Sequence, residues 1–236
     1  VKKRADSVAS EQAEPGGGVT RVIIFGGPGG GAIVAQYLRN LAARAVAYDP
    51  VGFLNDYELP GTLISGLPVL GPFSAWTRQP TDTRFIAPLQ KVKESARRVA
   101  LIRDLGVPNA RWISVVDPDA SVADDAVLGY ATHVGPNANV SANARLGNHV
   151  GIRGGVYLGH DTWLGDFVFV GANAALAGYV RVEEGAHISP LAAVREGTRI
   201  GRYAVVGLGA VVLNDVPTGT VVAGNPAVPI GEVELP

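Results

Sequence analysis

Two rhythms of apolar and polar residues divide the chain near residue 112. From Thr20 to about Arg111, short aliphatic runs alternate with stretches whose apolar residues recur at helical spacing. "RVIIF" (21–25) reads as a buried strand, "GGPGGG" as the turn after it, and "AIVAQYLRNLAA" (32–43) as an amphipathic helix. "AVAYD" (45–49) and "RFIA" (84–87) read as two further strands. "KVKESARRVALIRDLG" (91–106) reads as a second helix, closed by Gly106 with Pro108 beyond it. This alternation predicts a small parallel α/β domain.

From Val116 the period becomes six. Residues 116–217 divide into seventeen hexads without a break in phase, among them VGPNAN, VSANAR, IRGGVY, LGHDTW and VGANAA. The first position is always Val, Leu or Ile, and the fifth is always Ala, Val or Thr. A helix of about 3.6 residues per turn would spread those aliphatics over every face. Strand alternation explains positions one, three and five; recurrence at six demands a bend in each unit. Three flat sides closing into an 18-residue triangular coil satisfy both, with the aliphatics stacked inside and the coils about 4.8 Å apart. An ordinary sandwich would instead need turn signals at irregular intervals of about 8–12 residues. The expected organisation is a flexible tail at 1–19, an α/β unit at 20–112, a parallel β-helix at 113–230 and a C-terminal tail at 231–236.

Composition narrows the chemistry. A net charge of −1 leaves no electrostatic footprint for nucleic acid or an anionic membrane, so neither is an expected partner. No apolar run approaches the roughly 18 residues of a membrane span, and the first 19 residues lack the apolar segment of a signal peptide. The 236 residues include no cysteine, which excludes disulfides, thiolate metal sites and a cysteine nucleophile, and agrees with a cytoplasmic setting. Only 17% of residues are charged, and Tyr157, Trp163, Phe167 and Phe169 would be exposed on a single β-helix. A closed trimer would cover such faces and create three equivalent clefts.

One pair stands out in the β-helix, His160-Asp161 within "VYLGHDTWLGDFVFVGANAALAG" (156–178). His160 is the third residue of its hexad. The same lateral position is Ala142 one coil earlier and Gly178 one coil later, which predicts open space beside the imidazole. An imidazole titrating near neutrality suits removal of a proton from an attacking amine or hydroxyl, and an adjacent carboxylate fixes its tautomer. Taken alone, the dipeptide is equally a solvated turn. His133 and His187 share a column three coils apart, His149 lies elsewhere, and all three read as surface or interface residues.

The hexads, the ending "VLNDVPTGTVVAGNPA" (212–227), "VGFLND" (51–56) and "GLPVLG" (66–71) together resemble the hexapeptide-repeat sugar acetyltransferases. The group resembled is that of the sialic acid O-acetyltransferases and bacillosamine-pathway N-acetyltransferases. The resemblance implies a left-handed β-helix behind a Rossmann-like nucleotide-sugar-binding domain, and a homotrimer with acetyl-CoA as co-substrate in the cleft between β-helices. It implies His160 as general base held by Asp161, and Gly178, Pro190, Gly207, Leu208 and Asn225 along the cofactor. No metal is expected.

The glycine loop "FGGPGGGA" (25–32) follows a strand and opens a helix, the context of a phosphate site. Gly27, Gly29 and Ala32 fit G-x-G-x-x-A, with Asp49 at the end of the next strand in the place of a ribose-binding carboxylate. A tight strand–helix turn would need the same glycines. By resemblance, Gly26, Gly27, Gly29 and Gly31 lie by the diphosphate of a nucleotide-sugar, with Asn55 and Asp56 near its base or ribose. The chain departs from the group at three places. Phe169 stands where a second histidine is common, and Arg153 where an asparagine is. Pro88, Leu89 and Gln90 replace a strand-end Gly-Asn. Arg153 and Phe169 are therefore counted among the acceptor-side residues, Arg153 either facing an anionic acceptor or covering surface.

Two other functions fit the same fold. A zinc carbonic anhydrase needs three converging histidines, two of them closely spaced, and the histidines at 133, 149, 160 and 187 include no close pair. A non-catalytic trimeric scaffold or sensor binding a nucleotide-sugar would tolerate the departures at Arg153 and Phe169. Thermal-shift measurement separates it from an acyltransferase: acetyl-CoA should raise the melting temperature of the enzyme, and a scaffold should respond to UDP-sugars alone.

Overall fold

A computed structural model describes residues 19–235. The flexible tail expected at 1–19 lies, Val19 apart, outside the described residues. The N-terminal unit is built on β1 (Thr20–Phe25), α1 (Gly30–Ala43), β2 (Tyr48–Leu54), β3 (Leu63–Ile64), β4 (Leu67–Gly71), β5 (Arg84–Ile86) and α2 (Ser95–Asp104). The sheet order is β3-β4-β2-β1-β5, parallel except for β3 against β4. β1 is a continuous aliphatic run because both of its faces are covered. Val22 and Ile24 pack with α1, while Ile23 and Phe25 pack with Ile102 of α2, Phe85 and Trp112.

Two elements differ from the sequence reading. The strand expected at 45–49 begins at Tyr48 and runs on through Pro50 to Leu54. Pro50 pairs only with Val22 of β1, and β4 joins further along at Phe53 and Leu54, so the missing N–H faces an open edge. Asp49 accordingly starts β2 rather than ending it, and pairs with Arg21 at the far end of β1 from the glycine loop. It cannot serve a ribose bound there. The second helix is shortened to Ser95–Asp104, since Lys93 has a left-handed φ of 61° that helix interiors do not accept.

From Val115 the chain winds as a parallel β-helix of three sheets. The first has six strands from Ser121–Val122 to Val211–Val212, and the second five from Val127–Leu128 to Arg199–Ile200. The third begins at Val115–Val116 and is extended by Thr220–Ala223 and Val228–Glu232 to eight strands. Register partners between successive two-residue strands are 18 residues apart, as in Tyr157↔Ala175 and Leu158↔Leu176. First-position aliphatics from Val134 to Val212 are at most 4% exposed and form one continuous core. Val116, Val122 and Leu128 are half-buried, because the first coil has no rung beneath it. The last strand crosses the expected boundary at 230 and reaches Glu232, held antiparallel to Thr220–Ala223.

The bend that fixes the period has a definite backbone form. From Ala131 to Gly209 the fourth residue of every hexad has a left-handed φ between 55° and 71°. Gly and Asn or Asp favour this region; Phe167, Tyr179, Leu191 and Tyr203 adopt it because the stacked coils fix the strands on both sides.

The N-terminal unit docks on the third sheet and on the corner carrying Tyr130, Ala131 and Phe167. Asn40 donates to Asp117 at 2.7 Å, and Arg44–Asp119 and Arg103–Glu184 pair across the seam at 2.8 and 3.2 Å. The histidines read as surface or interface residues are not on the surface. His133, His149 and His187 are 1%, 4% and 4% exposed, at or beside this internal seam. His149 stacks on Phe167 with ring centres 4.8 Å apart and meets Trp112 edge-on; His133 lies against Gln90, and His187 against Phe169. Burial disfavours the imidazolium, so their pKa values fall to about 3 for His133 and about 4 for His149 and His187.

Each of these folded-state values lies below the ordinary 6.5 that returns on unfolding. The unfolded chain therefore takes up protons first as the pH falls. The stabilisation is complete above about pH 6.5 and is lost as the pH drops toward 4, on the order of 1–2 kcal/mol per histidine by pH 5. Urea midpoints should be level above pH 7 and fall between pH 6.5 and 5, and His149→Phe should flatten part of that slope. A midpoint unchanged down to pH 5 would contradict the burial of these rings.

Candidate active site

His160 and Asp161 sit at the corner between the first-sheet strand Tyr157–Leu158 and the second-sheet strand Trp163–Leu164. Asp161 is the left-handed corner residue, with φ 56°, and its N–H donates to the carbonyl of Ala142 one coil below at 3.0 Å. That geometry turns its carboxylate back on its neighbour. His160 Nδ1 lies 2.9 Å from Asp161 Oδ2, and a carboxylate only accepts, so Nδ1 carries the hydrogen, and in the neutral ring the lone pair is on Nε2. The His160 side chain is 52% exposed. Tyr179, the corner residue one coil above, meets the ring edge-on at 4.9 Å.

The open space expected over Gly178 is occupied by the imidazole itself. A Cβ added to Gly178 would fall 2.7 Å from His160 Nε2 and 2.8 Å from Cε1. Gly178 is thus a seat for the ring, and the missing side chain lets the imidazole fold along the coil.

The remaining expected residues lie on other corners. Pro190 and Leu208 stand 18 residues apart on the corner between the third and first sheets, with Gly207 beside Leu208 and Asn225 just beyond the strand Thr220–Ala223. One side of the prism, about 15–20 Å at strand rise, separates that corner from His160 and Gly178. Arg153 and Phe169 are grouped with the glycine loop instead. The Arg153 guanidinium covers the Phe169 ring at 5.3 Å, and Phe169 packs on His187 at 4.6 Å. Arg153 Nη2 is 3.2 Å from where a Cβ on Gly30 would be.

In the loop, Gly29 precedes α1 with nothing within 4 Å of its Cβ direction. Gly31 lies against Phe53, so its missing side chain lets α1 approach the sheet. The substituted segment closes the opposite side: the Pro88 carbonyl stands over Gly30, Leu89 lies against Gly26, and Gln90 against Gly151 and His133. An anion can therefore approach α1 from the Gly29 side. Asn55 is buried, donating to Gly26 O at 2.9 Å and accepting from the N–H groups of Tyr57 and Glu58. One amide N–H thus braces Gly26, and the oxygen is taken by two backbone donors. Asp56 accepts from Phe73 N–H at 2.7 Å and is otherwise exposed.

Among the described residues no three His, Cys, Asp or Glu side chains stand together as a metal site, and no helix is long and apolar enough to cross a membrane. Sequence reasoning missed a groove of about 850 Å³ on the second sheet, with Asp161 and Tyr179 on its lining beside Arg145, Trp163 and Arg181. Reading the hexads in columns of 18 would have exposed it.

No protein-family model and no curated protein matches the chain. Solved structures do. The acetyltransferase domain of PglB from Neisseria gonorrhoeae, solved with acetyl coenzyme A, is 29% identical with a TM-score of 0.78, over 91% of this chain and 100% of that one. PerB from Caulobacter crescentus, solved with CoA and GDP-perosamine, is 26% identical with a TM-score of 0.75, over 91% and 98%. WeeI from Acinetobacter baumannii is 26% identical with a TM-score of 0.75, over 89% and 100%. These likenesses bear out the resemblance to the hexapeptide-repeat sugar N-acetyltransferases of the bacillosamine-pathway group. They bear out the enzyme class as well: the chain is an acyltransferase.

Gly178→Ala tests the seat of the imidazole. The added methyl collides only with the ring, so the β-helix should keep its melting temperature while turnover falls by on the order of a hundredfold. In a His160→Ala background the same change should have no further effect on rate. Full activity in Gly178→Ala would show that the ring's resting place is immaterial.

Proposed function

We propose that the chain is an acetyl-CoA-dependent acetyltransferase acting on the amino group of a nucleotide-linked sugar, with His160 as general base held by Asp161. The observation that carries this reading is the Nδ1–Oδ2 contact of 2.9 Å, which leaves Nε2 basic on an exposed corner. The solved neighbours with acetyl-CoA or with CoA and GDP-perosamine support the two substrates. His160 Nε2 takes the amine proton as the nitrogen attacks the thioester carbonyl. The tetrahedral intermediate collapses with cleavage of the C–S bond, and the imidazolium returns the proton to the departing CoA thiolate. Asp161 stabilises the imidazolium in between.

The reading extends to the architecture. Residues 20–112 form a Rossmann-like unit for the nucleotide-sugar, 113–230 a left-handed β-helix, and the active assembly is a homotrimer. His160 and the glycine loop lie on different corners of one prism, so a cleft between two copies completes the site. There Gly178 of one chain and Pro190, Gly207, Leu208 and Asn225 of the next flank the CoA arm. The base-free alternative, a nucleotide-sugar-binding scaffold, gives Asp161 no reason to hold the imidazole.

His160→Ala should lower kcat for acetyl transfer to a panel of nucleotide-linked amino sugars by about 10²–10⁴-fold while acetyl-CoA still binds. Asp161→Asn should lose less. Turnover near wild type in His160→Ala would sink the assignment, and a monomer in sedimentation equilibrium would remove the shared cleft.

A further inference from the structure

Arg153 projects from the β-helix into the seam with the N-terminal unit, and among the described residues no carboxylate pairs with it. Other arginines of the seam are matched: Arg44 meets Asp119, and Arg103 meets Glu184. The buried carboxylate of Asp117 is taken by Asn40 and by the Asp119 N–H. Arg145 and Arg181 also lack an ion pair, but they are exposed on the second sheet, where water compensates the charge. Arg153 is half-buried, and its Nη1 is shut off from solvent without a hydrogen-bond partner. Two more buried atoms beside it are unpaired, Gln90 Oε1 and the Nε2 of His133, a residue 1% exposed. Gln90 and His133 meet at Gly151, two residues before Arg153. Burial keeps His133 neutral, so the charge of this cluster is that of the guanidinium. A cation withdrawn from water without a partner is costly, and the cost is recovered when an anion arrives.

The guanidinium is aimed at the glycine loop. It lies on the Phe169 ring at 5.3 Å, and Nη2 stands 3.2 Å from where a Cβ on Gly30 would be, one residue from the open Gly29. Gly30 begins α1, which has no side-chain cap and no acidic residue in its first turn. Ala32 and Ile33 donate back to Gly27 and Gly29, and among the described residues no carbonyl accepts from the N–H of Gly30 or Gly31. Resting on the acetyltransferase reading above, we infer that Arg153 binds the diphosphate of the acceptor, reaching from the β-helix into the loop of its own chain. The nucleotide-sugar site is then a property of the seam: α1 supplies N–H groups, and the β-helix supplies the cation. A carboxylate on the sugar would offer the guanidinium similar oxygens. The diphosphate is the assigned partner because helix terminus and guanidinium act on one place and together present about +1.5 elementary charges. A phosphate has oxygens for both sets of donors.

The test titrates the full chain with GDP and UDP by calorimetry, with guanosine and uridine as phosphate-free controls and CoA in parallel. Arg153→Gln should weaken GDP or UDP binding about tenfold, while the nucleosides and CoA bind variant and wild type alike. Arg153→Lys, which keeps the charge and loses the fork, should recover part of the affinity. The gap between wild type and Arg153→Gln should narrow as salt is raised. In turnover Arg153→Gln should raise KM for the nucleotide-linked amino sugar and leave that for acetyl-CoA in place. Unchanged GDP and UDP affinity in Arg153→Gln would overturn the assignment. A lowered melting temperature would then mark a packing role, and a defect confined to acceptors with a sugar carboxylate would move the anion to the sugar. Loss of CoA affinity with GDP and UDP binding intact would overturn it as well. A wild-type chain that transfers no acetyl group, yet needs Arg153 to hold GDP or UDP, would sink the acetyltransferase reading and support this site.

Discussion

Everything of chemical interest in this protein is carried by a column of aliphatic side chains stacked one coil above another. Each inward Val, Leu or Ile removes most of its surface from water, contributing about 1.5–3 kcal/mol. The rung-to-rung hydrogen bonds fix the spacing to that of a β-sheet. A residue's place in its hexad then decides its face, its height and its neighbours above and below. His160 lies against Gly178 and Tyr179 of the next coil because 18 residues make one coil. A shift of one residue in phase would turn the imidazole away from Gly178.

The corners carry the function because the sides are spent on stacking. A fourth-position residue with left-handed φ ends each flat side, and the residue before it projects outward. At residue 161 that role falls to an aspartate, a residue type that tolerates the conformation and whose short carboxylate reaches the neighbouring ring. The corner's backbone conformation and the contact with His160 are met there by one side chain. The seam with the N-terminal unit uses the opposite part of the prism, where three imidazoles serve as neutral packing groups. Solvent separates the four imidazoles: His160 is half exposed on its corner, while burial makes His133, His149 and His187 resist charging.

The β-helix and the contact between His160 and Asp161 were legible because period six is a global signal, repeated in every coil. The small α/β unit was less so. Pro50 reads as a strand breaker until β4 is seen to join only at Phe53, and the displaced strand carried Asp49 to the wrong end of the sheet. The three buried histidines were misplaced for a related reason. Their hexad positions face outward in an isolated β-helix, where Trp112 of the docked unit meets His149 and the Phe169 ring packs on His187. Asn55 likewise looks wholly available beside an acidic residue and a glycine loop, yet one amide N–H and its oxygen are spent on local backbone groups.

By itself the sequence determined the coil, its phase, the bend at each sixth residue and the pairing of His160 with Asp161, since all of these follow from local spacing repeated along one axis. Tertiary structure alone decided which outward residues are covered, that the ring fills the notch over Gly178, and that Arg153 leans on the glycine loop while Arg145 and Arg181 stay uncompensated. Those outcomes depend on contacts between residues far apart in the chain, where burial and charge balance are properties of the assembled surface rather than of any segment.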